Sequence, residues 1–275
     1  MKNYKTILIL LTLPTYSFSQ NISVSLDIGY GFELHPNSIP DGDIRTLEQT
    51  ATISTKEFKT IRHSYGEGTN LGGLIEYSLN EKIEAGLGFS YLIAKTEDRN
   101  IFDLDGLEKI DLISSKLSRI IPQLKFNIPL WDNYIYTRFG FIIGIKPKII
   151  EERDSHDPKN MRRIEKFGGS SYGFLAGVGY SFKLGEKFVI SPEFRVFSQT
   201  YGPRQSETTT SLSQGQDITS LLLPWERYSR YENSYQKNYY PNGIDTSKPS
   251  IQNRRFESFS SIGANITFAY VFSGK

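Results

Sequence analysis

Between residues 22 and 35 every second side chain is apolar: Ile22, Val24, Leu26, Ile28, Tyr30, Phe32 and Leu34 alternate with Ser23, Ser25, Asp27, Gly29, Gly31, Glu33 and His35. Successive side chains of a strand point to opposite faces, so this strict period of two predicts a β-strand with one greasy face and one small or polar face. The alternation then recurs. Leu71, Ile75, Tyr77 and Leu79 mark a second strand, and Ile83, Ala85, Leu87, Phe89, Tyr91 and Ile93 a third. Ile120, Leu124, Phe126 and Ile128 mark a fourth, and Ile135, Phe139, Phe141, Ile143 and Ile145 a fifth. Tyr172, Phe174, Ala176, Val178, Tyr180, Phe182 and Leu184 give a sixth; Phe188, Ile190, Phe194 and Val196 a seventh; Ile262, Ala264, Ile266, Phe268, Tyr270 and Phe272 the last. Pro122 and Pro192 fall inside the fourth and seventh. Each removes a ladder donor, so a β-bulge is expected at one or both.

The connections alternate in length. Asn80-Glu81-Lys82, Pro129 to Asn133 and Gly185-Glu186 are tight turns, whereas 36–69, 96–114, 149–169 and 200–258 are long and polar. Eight strands joined in this way predict an all-β, antiparallel up-and-down barrel with short turns at one end and long loops at the other. No second domain or internal repeat is visible.

Volume decides which face is inside. The apolar positions hold dozens of large side chains, and an eight-stranded barrel has an interior only just wide enough for its inward residues. The opposite set is small, including Gly29, Gly31, Gly72, Gly86, Gly88, Gly140, Gly144, Gly173, Gly177, Gly179 and Gly263. The apolar set is therefore expected outside, where a closed sheet is stable only against lipid. Tyr77, Tyr180, Phe182, Tyr270 and Phe272 fall near the turn end, as an aromatic girdle would.

Composition narrows the function. The chain of 275 residues has no cysteine, which excludes disulfides, thiolate metal sites and thiol nucleophiles. Its net charge of +2 carries no nucleic-acid footprint. No run of 18 apolar residues occurs, so no membrane-spanning helix is expected. Residues 1–19 pair Lys2 and Lys5 with an apolar run, Ile7 to Leu13, and a small-residue Ser17-Phe18-Ser19, which reads as an export signal cleaved after Ser19. Its removal leaves a barrel domain at 20–275 with 30 basic residues facing 30 acidic ones.

In this pattern the chain resembles the small OmpA- and OmpX-type barrels of the bacterial outer membrane. Ser261, Gly263, Ile266 and Phe268 match the polar-x-Gly-x-x-apolar-x-aromatic signal by which the barrel assembly machinery recognises last strands. The resemblance implies an outer-membrane location, both termini in the periplasm, and contact with membrane lipid, lipopolysaccharide and that machinery.

Four groups of residues carry candidate chemistry. Inward positions hold Asp27, Glu76, Glu84 and Glu193 beside Arg119, Lys125, Arg138 and Arg195; of these Asp27, Glu76, Lys125, Arg138 and Glu193 are expected at similar depth as a ring of mixed sign, with Arg195 about one step above. Charges in a narrow lumen are costly unless paired, so these are expected to form a salt-bridged plug rather than a selective pore. His35, His63 and His156 sit in loops or at a strand end, and His63-Ser64, the sole adjacent pair, forms no triad, which argues against a lipid-modifying enzyme. Asp98, Asp103, Asp105, Glu108 and Asp111 fit a calcium loop poorly, because Ile101 and Leu112 occupy its first and last ligand positions. The last long segment interleaves Trp225, Tyr228, Tyr231, Tyr235, Tyr239 and Tyr240 with Arg227 and Arg230, the residue types that anchor recognition surfaces. The expectation is a non-enzymatic structural or interaction protein without cofactor or metal. A narrow porin or transporter and a lipid-modifying enzyme are its alternatives.

Overall fold

The computed structural model describes residues 22–34, 45–48, 57–60, 64–102, 108–131, 133–153, 157–233 and 245–272. The export signal, all three histidines, Asp103, Asp105, Tyr235, Tyr239 and Tyr240 lie outside the described residues.

Eight strands close into an antiparallel barrel: β1 (Ile22–Glu33), β2 (Gly68–Ser78), β3 (Ile83–Ala94), β4 (Glu108–Leu130), β5 (Asn133–Arg153), β6 (Ser170–Leu184), β7 (Phe188–Gly202) and β8 (Ser261–Phe272). Each pairs with its neighbour in sequence, and β8 returns to β1 with Ile22 opposite Phe272 and Glu33 opposite Ser261. No barrel edge is left to attract another chain.

The register fixes the geometry. Stepping through paired positions from Ile22 to Tyr77, Ala85, Leu124, Phe139, Ala176, Val196 and Ile262 returns to β1 at Phe32, ten residues above the start. At ~3.3 Å per residue against eight spacings of ~4.8 Å, that stagger tilts the strands by roughly 40°, within the range of closed barrels. None of the residues on this path is buried. The alternation is therefore physical: Leu26 is 70% exposed beside Ser25 at 2%, and Phe174 is 67% exposed beside Leu175 at 2%. At the turn end Tyr180 meets Phe182 edge to face at 4.5 Å, and Tyr270 meets Phe188 at 5.2 Å and Phe272 at 4.7 Å. Trp131, at the tip of the β4–β5 turn and 90% exposed, extends this aromatic belt.

Neither proline produces a bulge. Pro122 pairs with Leu87 and Pro192 with Ile266 without a shift in register. Both side chains are exposed, and each ring costs only one rung of the ladder. The irregularity lies instead between Lys116 and Ser118, which face Lys148 and Ile145. Lys146 adopts φ 47° there, and the inward set of β5 switches from even positions such as Ile142 to odd ones such as Pro147 and Ile149. A lysine at positive φ is strained, so Lys146→Gly should raise stability by about 1 kcal/mol, read as a higher urea midpoint of the folded barrel.

The segments expected as polar loops at 149–169 and 200–258 contain further strands. β4 and β5, 23 and 21 residues long, run past the barrel mouth. The upper half of β5 pairs with Arg162–Phe167, and Gln205–Ser213, Tyr228–Glu232 and Ser250–Asn253 follow in that order across one sheet. Glu97–Phe102 pairs with the start of β4 on the other side, carrying Asp98 opposite Leu112 and Arg99 opposite Asp111. Among the described residues no helix is long and apolar enough to cross a membrane.

Candidate functional site

The barrel interior is layered. At the turn end Ser181 and Ser191 share a hydrogen bond of 2.8 Å. Above them seven of the eight predicted lumen charges join in one chain. Glu84 pairs with Lys125 at 3.2 Å, Lys125 with Glu76 at 3.8 Å, and Glu76 with Arg138 at 3.4 Å. Arg138 then reaches Glu193 at 3.6 Å, Glu193 reaches Arg195 at 3.1 Å, and Arg195 reaches Asp27 at 2.9 Å. The chain crosses the barrel because the pairing of Asp27 with Gly72 and of Arg195 and Arg138 with Gly177 brings them to one level. A Cβ at Gly177 would strike the Glu193 carboxylate and one at Gly72 the Asp27 carboxylate. Missing side chains thus make the space that the ions fill.

Tyr136 completes this layer. It is wholly buried, donates its hydroxyl to Glu193 at 2.9 Å, and turns its ring to Lys125 at 4.8 Å and Arg138 at 5.6 Å. Alternation with Ile135 puts Tyr136 on the inner face, but an aromatic ring carries no sequence sign of membership in a charge network.

Arg119 departs from the prediction, since it is not part of the ion chain. It is 0% exposed, donates to Asn70 at 2.6 Å and Gln199 at 2.8 Å, and has no carboxylate within ion-pair distance among the described residues. The cause is depth: on β4 the inward residues Gln123 and Ile121 separate it from Lys125, and the Phe197 ring lies 4.6 Å from Arg119 and 6.0 Å from Arg195. One of its amino groups lacks a hydrogen-bond partner. The joined chain holds four carboxylates and three cations, so Arg119 brings the eight charges to zero at a distance.

Large apolar residues also lie inside, which the glycine-rich inward set did not announce. Ile121, Ile142, Leu175 and Phe197 form one buried cluster. Nearer the mouth Leu92, Ile113, Leu117 and Ile149 pack with Tyr65, Tyr201 and Phe259, the rings of Tyr65 and Tyr201 lying 5.5 and 5.9 Å from Phe259. Ser64, of the His63-Ser64 pair, donates to the Ser260 carbonyl at 2.6 Å and is wholly buried. It serves this cap.

The described part of the last long segment is gathered on the outer sheet. Trp225 and Arg227 lie in the short helix Pro224–Arg227, and Tyr228, Arg230 and Tyr231 in the strand that follows. Arg227 pairs with Glu207 at 3.0 Å and lies 5.1 Å from the Tyr228 ring, while Tyr231 donates to Ser206 at 3.0 Å. Tyr231 and Arg227 therefore help hold the sheet, and Arg230 stays exposed. In the strand Arg162–Phe167 of the same sheet Lys166 is clamped by Glu151 at 2.5 Å and Glu257 at 3.8 Å. Burial pulls its pKa down, but these carboxylates, Glu151 foremost, outweigh that and hold it above the ordinary lysine range.

Among the described residues no group of His, Asp and Glu could hold a metal ion. Sequence reasoning missed Arg204 and Arg254, which flank Arg230 across the sheet; only non-local pairing brings them there. The chain matches no protein-family model and no curated protein, so its likeness to outer-membrane barrels rests on pattern and fold.

Proposed function

We propose that this chain is a non-enzymatic outer-membrane β-barrel protein of the small OmpA and OmpX type, exported by a signal removed near Ser19. Its lumen is sealed, and it acts through the sheet that its long connections build outside the membrane. The observation that carries this reading is the closed barrel whose apolar row, Leu26, Phe139 and Phe174 among it, is exposed all round while its interior is occupied by ions and packed rings. Such an exterior is stable in hydrocarbon and not in water. Its partners are outer-membrane lipid and lipopolysaccharide, the barrel assembly machinery during insertion, and a ligand or protein at the cell surface.

The ion chain and the Tyr65, Tyr201 and Phe259 cap support a closed barrel over a pore. Purified protein in planar bilayers is expected to give no steady conductance, and a large stable current would establish the pore instead. Cell fractionation tests the location: the mature chain should sediment with outer membranes and show heat-modifiable gel mobility. Recovery as a monodisperse protein from the aqueous periplasm, without detergent, would defeat the reading. Unchanged acylation of lipid A in membranes with and without the protein is the result expected of a non-enzyme.

A further inference from the structure

On the outer sheet several cations have a carboxylate. Lys148 pairs with Glu165 at 2.5 Å, Arg153 with Glu151 at 3.5 Å, Arg163 with Glu152 at 3.2 Å, and Arg227 with Glu207 at 3.0 Å. Among the described residues Arg162, Arg204, Arg230, Arg254 and Arg255 do not, and Arg162 is spent on the Thr208 hydroxyl and the Glu226 carbonyl. Arg204, Arg230 and Arg254 have no carboxylate within ion-pair distance among the described residues, yet they line one cleft of about 400 Å³.

The backbone forces them together. Arg204 accepts the Tyr231 N–H at its carbonyl at 2.8 Å, and the Arg254 N–H donates to the Glu232 carbonyl at 2.8 Å, so the corner after β7, the strand Tyr228–Glu232 and the end of Ser250–Asn253 converge. The Arg254 guanidinium is further held by the Gly202 carbonyl at 2.6 Å and lies 5.5 Å from the Phe256 ring. Its buried Nε has no hydrogen-bond partner. Glu232 is the only carboxylate among the lining residues, which leaves the cleft with a formal charge of +2.

Like charges held together by the fold without a counterion make a preformed receptor for an anion, and the planar forks of several guanidiniums suit an acceptor with more than one oxygen. A carboxylate offers two oxygens in one plane. A phosphoryl group presents three around a tetrahedron, which matches three guanidiniums arriving from three segments. The cleft also falls in the size range of small-molecule sites, larger than a bare ion requires, and its lining includes Gln205 and Asn233, residue types whose amides can partner hydroxyl groups.

We propose that the cleft between Arg204, Arg230 and Arg254 binds a phosphorylated sugar through its phosphoryl group. This deepens, and rests on, the reading of the outer sheet as the interaction surface. The sugar phosphate is either the headgroup of a glycolipid or a free solute.

Titration calorimetry on the folded full chain in detergent micelles tests it, with glucose 1-phosphate as the free probe and diphosphorylated lipid A in mixed micelles as the lipid probe. Glucose and dephosphorylated lipid A are the controls. Saturable binding of the phosphorylated probes that weakens with added salt is expected. Arg230→Gln should weaken it at least tenfold, and Arg163→Gln, which alters a paired arginine of the same sheet, should leave it unchanged. Binding of both probes identifies a free sugar phosphate as sufficient; binding of lipid A alone identifies the glycolipid. Arg254 also braces Gly202, so Arg230, whose side chain makes no hydrogen bond to a described residue, carries the test if Arg254→Gln fails to fold. Equal binding of phosphorylated and control probes, or an Arg230→Gln protein that binds like wild type, overturns the proposal. Heat-modifiable mobility and membrane fractionation of the same preparation report the membrane reading separately, so failure of one is not mistaken for failure of the other.

Discussion

Replacing Glu193 by alanine is expected to lower the unfolding free energy of the barrel by about 3–5 kcal/mol, the cost of breaking a buried ion pair from one side. Glu193 is the shared acceptor of its layer. It takes the Tyr136 hydroxyl at 2.9 Å and two donors of Arg195 at 3.1 and 3.2 Å, and it lies 3.6 Å from Arg138, with no exposure of its side chain. Without it Arg138 keeps only Glu76, Arg195 keeps only Asp27, and a buried hydroxyl loses its acceptor. Asp27→Asn should cost less, because the shorter side chain sits at the end of the chain beside Asn265, which donates to it at 3.0 Å. Urea titrations of each variant in phosphocholine vesicles, followed by gel mobility and tryptophan fluorescence, measure both. A Glu193→Ala shift below about 1 kcal/mol, the size expected of an exposed pair, would mean that the ion chain does not brace the barrel.

The second large effect lies on the outer surface and separates a lipid-facing band from a merely exposed one. If the band meets hydrocarbon, Phe139→Arg near mid-height should destabilise the barrel by about 2–4 kcal/mol in vesicles, whereas Trp131→Arg at the turn tip should cost about 0–1 kcal/mol. Both side chains are exposed, at 56% and 90%, and differ in depth along the barrel. In water an arginine at either site would be well solvated. Equal and small effects at the two positions would therefore remove the membrane from the explanation of this surface.

The barrel was legible because one-sided strands write their period directly into the chain, as in β1, where Leu26, Ile28 and Tyr30 alternate with Ser25, Asp27 and Gly29. The ion layer was legible for the same reason, since parity alone places Asp27, Glu76, Arg138 and Glu193 on the inner face. Parity gave no help where both neighbours are apolar. In Ile120-Ile121, Ile142-Ile143 and Phe174-Leu175 one residue of each pair faces in, and the buried cluster they form is invisible to a period-two reading. The bulge is hidden as well, because Lys146 carries no sign of positive φ and Pro122 and Pro192, the breakers in the sequence, leave the register unshifted. The outer sheet was hidden more deeply. Gln205–Ser213 is almost wholly polar and is held by cross-strand partners such as Arg162 on Thr208 at 2.9 Å and Tyr231 on Ser206 at 3.0 Å.

Local alternation, then, settled the number of barrel strands, their faces and the set of charges turned inward, since each depends only on neighbours along the chain. Which charges touch, why Arg119 stands apart behind Phe197, and how Arg204, Arg230 and Arg254 come to share one cleft were decided by closure, stagger and long-range pairing. Those quantities relate residues that are far apart in sequence, and no local pattern records them.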